Sequence, residues 1–169
     1  MVFSIENKSV SENLNSCIEE LSKIESIIHG IGVMSHPVPY LTRYSIIKTC
    51  GAIEYGFKTI ISDFSLDTQS EQLRNFVDAK FRNSSMNPSY GNICSGLGSF
   101  DINWKENFKK KVNSLPDKNK ILDSLESLNN ARNTFAHGGS PTTSFENVRV
   151  YFYDSLKILE VIEATINTK

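Results

Sequence analysis

Arg132 and His137 stand five positions apart in the stretch Ala131-Arg-Asn-Thr-Phe-Ala-His-Gly-Gly139. The chain has three histidines, and the other two, His29 and His36, lie beside Gly30 and Pro37 in a stretch that reads as loop. Imidazole is the side chain best suited to move a proton near neutral pH. A guanidinium can hold a phosphate through paired hydrogen bonds. On an ideal helix an i, i+5 pair points about 140° apart. Arg132 and His137 can therefore converge only if His137 lies in a loosened last turn, which the two following glycines permit. Asn133 and His137 are i, i+4 and share a face. The plainer alternative is a histidine that caps a helix C-terminus ahead of a glycine stop.

A second clue lies upstream. Arg43, Ile47, Cys50, Glu54, Phe57 and Ile61 fall on one helical stripe, most of it apolar. A carboxylate in the middle of such a stripe is costly to bury alone. Glu54 therefore needs a cationic or hydrogen-bonding partner, and Arg132 and Arg43 are the candidates. A purely structural buried ion pair is the competing reading.

Other chemistries find little support. Gly96-Leu-Gly98 lacks the lysine and the preceding strand of a phosphate loop. No strand leads into Ser95, so Cys94-Ser-Gly96 is no nucleophile elbow. Three scattered histidines and no clustered Cys/His or paired-acid motif argue against a metal, and no cofactor is implied. The cysteines, Cys17, Cys50 and Cys94, are odd in number and widely spaced, which reads as reduced core thiols. Net charge is −1, so any contact with nucleic acid must be local. The lysines of Lys105 to Lys120 read as a solvated helix face, and Trp104 and Phe108 as core.

The elements that must position these residues are helical. A capping box at Ser9-Val-Ser-Glu12 precedes Leu14, Cys17, Ile18, Leu21, Ile24 and Ile28, and Gly30 and Gly32 end that helix. A loop over 30–39 carries Pro37 and Pro39. A long helix runs from Tyr40 to about Phe64. Thr68-Gln-Ser-Glu71 opens a third helix through Phe76 and Phe81, and the polar run Asn83 to Tyr90 breaks it. Short helices follow at Ile93 to Leu97 and Trp104 to Val112. Pro116 fits the first turn of the next helix, which carries Ile121, Leu125, Leu128 and Phe135 to the Gly138-Gly139 stop. Thr143-Ser-Phe-Glu146 caps a last helix. That helix has Phe145, Val148, Phe152, Leu159, Ile162 and Ile166 on one face, and Tyr151, Ile158 and Val161 form a second strip. Being apolar on two sides, it is either central in the core or part of an oligomer interface.

The expected fold is thus an all-α, up-and-down bundle of about five or six helices forming a single domain over 1–169. With 169 residues, 39% hydrophobic and 22% charged, the chain can bury a core of its own. Mean hydropathy is −0.27, and no apolar run approaches the roughly 20 residues of a membrane helix. The first residues lack the features of a secretion signal, so a cytoplasmic location is expected, with no membrane partner.

These residues resemble the HEPN domain family, whose hallmark is Arg-x(4–6)-His, and more narrowly its RiboL-PSP branch. The segments that carry the likeness are Arg43 to Glu54, Ile93 to Trp104 with its Gly-Ser-Phe-Asp core, and Leu128 to Gly138. Together they extend the resemblance over about Tyr40 to Ile166, with residues 1–39 matching less clearly. The resemblance implies a HEPN-like helical bundle that forms a homodimer with two Arg/His motifs facing each other. It also implies RNA as partner. Many members are metal-independent endoribonucleases, often toxins or antiviral effectors controlled by an antitoxin or a regulatory protein. Others are non-catalytic RNA-binding or protein-interaction modules. On the enzymatic reading His137 moves the proton, Arg132 stabilises the phosphate charge and Asn133 orients a histidine or bonds the phosphate. Glu54 would fix Arg132, with Arg43 in support.

Overall fold

The computed structural model describes residues 3–66 and 69–168, and every regular element among them is helical. The helices are α1 (Lys8–Ile31), α2 (Val38–Leu66), α3 (Glu71–Val77), α4 (Tyr90–Phe100), α5 (Ile102–Asn113), α6 (Lys118–Ala136) and α7 (Phe145–Ile166). A π-helical turn, Asp78–Arg82, continues α3. That makes seven α-helices among the described residues against about five or six expected, and α4 and α5, expected as two short helices, are divided only by Asp101, which caps α5.

Four long helices make the bundle. α1 and α2 form an antiparallel hairpin, joined near the middle of α1 by Lys48 and Glu20 at 2.6 Å and at its start by Asn7 and Asp63 at 2.9 Å. α6 and α7 form a second hairpin, in which Ser124 and Lys120 both donate to Asp154. α2 and α7 pack against each other in the middle, where Leu159 of α7 lies directly over Gly56 of α2. α3, α4 and α5 are the excursion between the hairpins, and α5 closes on α7.

Both apolar strips of α7 are used inside the protomer. Phe152, Ile158, Leu159 and Ile162 are fully buried and Val161 nearly so. The helix is therefore central in the core, and its second strip is not an oligomer surface.

Several helix starts fall a little away from their sequence signals. Asn7, not Ser9, caps α1, its side chain accepting from the Val10 amide at 3.1 Å. The cause is tertiary: the carboxylate of Glu163 in α7 accepts from the Glu6 and Asn7 amides at 2.7 and 2.8 Å and fixes the chain direction there. Thr68 lies outside the described residues, and Ser70 caps α3. Pro116 precedes the first turn of α6 and does not enter it. Ser144 caps α7 in place of Thr143. Gly32 ends α1 in the left-handed region at φ +88°, with Gly30 inside the helix. All three cysteines are buried and unpaired.

Candidate functional site

The last turn of α6 carries the motif. Helical geometry stops at Ala136, and His137 is the half-helical residue beyond it, with φ −92° and ψ 17°. Gly138 follows at φ +81°, a conformation in which a side chain costs roughly 1–2 kcal/mol. Its N–H donates to the Phe135 carbonyl at 3.0 Å, and the Gly139 N–H donates to the Thr134 carbonyl at 2.8 Å. This paired closure satisfies the carbonyls that the helix end would otherwise leave bare. It also turns the chain at His137, whose side chain is exposed.

Arg132 is half-buried and donates to Asn133 Oδ1 at 3.2 Å. No hydrogen bond joins either residue to the imidazole of His137 among the described residues. From α2, Arg43 reaches this same turn. Its guanidinium lies 6.0 Å from the centre of the Phe135 ring and donates to Ser140 Oγ at 3.1 Å, so it straddles the segment that holds His137. Arg82 and Arg149 are neutralised by carboxylates, Arg82 by Asp63 and Asp78, Arg149 by Glu25 and Glu146. Arg43 and Arg132 have no carboxylate within ion-pair distance among the described residues.

Glu54 is placed differently from the expectation. It does not pair with Arg132 or Arg43. Lys58, one turn further along α2, takes it at 2.6 Å. Lys58 is only 4% exposed and also donates to the Ser84 carbonyl in the loop after the π-turn. A buried ammonium requires such a counter-charge, and this need decides the fate of the carboxylate. The stripe itself is rotated from that read in the sequence. Ile47 is exposed, and the buried face runs through Ile46, Cys50, Ile53, Phe57 and Ile60.

The Cys50 thiol feels the charges of both Glu54 and Arg132. Burial pushes it up to about 12, with Arg132 opposing and Glu54 adding to that shift. Cys50 is thus a neutral packing group at physiological pH, unsuited to nucleophilic attack. Its Sγ lies 3.6 Å from Asn129 Oδ1, and the Asn129 amide donates to Pro88 at 3.2 Å. Asn129 and Lys58 together pin the 83–89 loop. Both escaped the sequence reading, although the Glu54/Lys58 spacing of four is the signal that could have shown the pair.

All three histidines gather at one end of the bundle. His29 and His36 line a cleft of about 690 Å³ between the α1–α2 turn and the α6–α7 connection, and Arg43 lines it too. Among the described residues no group of three or more His, Cys, Asp or Glu side chains is placed to hold a metal. No helix there is long and apolar enough to cross a membrane.

A family profile described as RiboL-PSP-HEPN matches residues 12–168. The match takes in most of α1, which the motif-based likeness from about Tyr40 had left aside. No curated protein and no solved structure matches the chain.

Proposed function

The chain belongs to the RiboL-PSP-HEPN family, and on that footing we propose that it is a metal-independent endoribonuclease acting as a homodimer in the cytoplasm. Its role would be that of a toxin or antiviral effector held in check by an antitoxin or regulatory protein. The observation that carries this reading is the pair Arg43 and Arg132. Among the described residues neither has a carboxylate partner, and both lie at the turn that exposes His137.

The chemistry follows from these groups. The 2′-hydroxyl of a ribose attacks the adjacent phosphorus as one His137 takes its proton. The bond from phosphorus to the 5′-oxygen breaks, and a proton returns to that oxygen. The products are a 2′,3′-cyclic phosphate and a 5′-hydroxyl. Arg132 stabilises the charge that builds on the phosphorane oxygens, and Asn133 holds the Arg132 guanidinium. Each protomer supplies one motif histidine, so the acid and the base come from two copies. Glu54 stabilises the scaffold beside the site, by countering the charge of the buried Lys58, and takes no part in the chemistry.

With α7 consumed in the core, the face available for dimerisation is on α2. Tyr44, Ile47 and Tyr55 are 45%, 42% and 39% exposed, and open space lies over Gly51 between them. They share a helix face whose edge carries Arg43 and Glu54.

The test is cleavage of RNA in EDTA by wild type, His137→Ala and Arg132→Ala. Loss of cleavage in both variants is expected, with fold and dimer intact. Retained cleavage by a folded, dimeric His137→Ala protein would sink the mechanism. A second reading, a non-catalytic helical interaction module, draws on Glu25 and Glu146 at the cleft, which disfavour a polyanion there. It predicts that the wild type cleaves no RNA.

A further inference from the structure

We propose that the cleft at the α1–α2 end is a nucleobase subsite, stacking one unpaired base of the RNA strand beside the phosphate held at Arg43. This rests on RNA being the substrate.

The argument begins with a ladder of flat groups. The rings of His36 and Tyr40 have centroids 5.7 Å apart at 44°. The Arg43 guanidinium lies 5.6 Å from the Tyr40 ring and 6.0 Å from the Phe135 ring. The ladder leads from the cleft to the turn that carries His137. Tyr40 is 59% exposed, so most of its ring area is not spent on the fold. Aromatic and guanidinium planes offered together to solvent are the means by which single-stranded nucleic acid is held.

The cleft suits a base in size and lining. Its volume of about 690 Å³ falls within the roughly 300–1,000 Å³ of small-ligand sites. Ile28, Ile46 and Phe145 line it and are buried, giving an apolar floor. Glu25 and Glu146 also line the cleft, and both are within ion-pair distance of Arg149. These two carboxylates disfavour a phosphate in their part of the cleft, whereas a carboxylate oxygen can accept hydrogen bonds from base N–H groups. The charge pattern therefore puts the base inside and the phosphate outside, on the Arg43 side. A base can enter only if it has left its stack, so a single strand or loop is required.

The experiment measures fluorescence polarisation of a labelled short single-stranded RNA with the full chain carrying His137→Ala, so that binding is read without cleavage. Adding Tyr40→Ala is expected to weaken binding on the order of tenfold, and Tyr40→Trp to preserve it. An RNA with one abasic nucleotide at the stacked position should bind weakly and be insensitive to Tyr40→Ala, which a merely structural role for the tyrosine would not produce. Unchanged binding in Tyr40→Ala overturns the subsite and leaves the ribonuclease reading standing, even if a protein or small ligand is found in the cleft. If the His137→Ala protein binds no RNA and the wild type cleaves none, the ribonuclease reading falls and the subsite with it.

Discussion

The Arg43 guanidinium lies 6.0 Å from the centre of the Phe135 ring and reaches on to Ser140 Oγ. One α2 side chain thus touches the polypeptide on both sides of His137. Arg43→Lys keeps the charge but loses the planar group that can stack and fork at once. We expect the variant to stay folded and to lose cleavage, in kcat because the turn carrying His137 is no longer held and in KM because Arg43 also faces the RNA. Steady-state kinetics with a fixed RNA, alongside thermal melts, check this.

Ile47→Arg and Gly51→Arg place a long cation on the α2 face where Ile47 is 42% exposed and open space lies over Gly51. Each should leave the melting temperature of the fold nearly unchanged and yield monomers in analytical ultracentrifugation. If the site is composite, cleavage disappears with the dimer. A monomer that cleaves at the wild-type rate would refute the two-copy mechanism.

Glu54→Gln leaves Lys58 buried without its counter-charge. The cost should be about 2–3 kcal/mol, at or below the low end for breaking a buried pair because the carboxylate side is partly solvated. The double variant Glu54→Gln/Lys58→Met should recover most of that loss in urea titrations. Since Glu54 does not touch Arg132, we expect the recovered protein to cleave RNA normally.

Burial pushes the thiols of Cys17 and Cys50 up to about 12 from an ordinary value of 9.0. A folded-state value above the unfolded one means the folded protein holds its protons longer. The stabilisation is complete below about pH 9 and drains away as pH rises from there through 12. Cys17→Ala/Cys50→Ala should therefore flatten the fall of stability between pH 9 and 11, whatever its effect at pH 7. Both native thiols should also resist iodoacetamide at pH 8 and react once the protein is unfolded.

The helices were readable because period and punctuation agree. The stripe Leu14, Cys17, Leu21, Ile24, Ile28 is buried as its spacing requires, and the Gly138-Gly139 pair ends α6 where a left-handed residue is needed. What misled was local chemistry overruled by distant groups. Ser9 has the better capping signature, yet Asn7 wins because Glu163, more than 150 residues away, holds the preceding amides. Glu54 looked in need of Arg132 because the sequence does not reveal that Lys58 turns inward. The three histidines looked unequal, with two set aside as loop residues. Only the hairpin geometry shows that the last turns of α1 and α6 meet the first turns of α2. The role of His137 itself rests on a spacing that a simple cap would share.

The carboxylate of Glu163 has a consequence for synthesis. Residues 3–7 can dock only after α7 has left the ribosome, since their amides are held by its last turns. The central helix of the bundle is likewise its last long element. The turn bearing Arg132 and His137 thus emerges before the helix that completes its scaffold. Nascent chains should stay protease-sensitive until nearly all of α7 is out, which delays any assembly of two motifs until each bundle has closed.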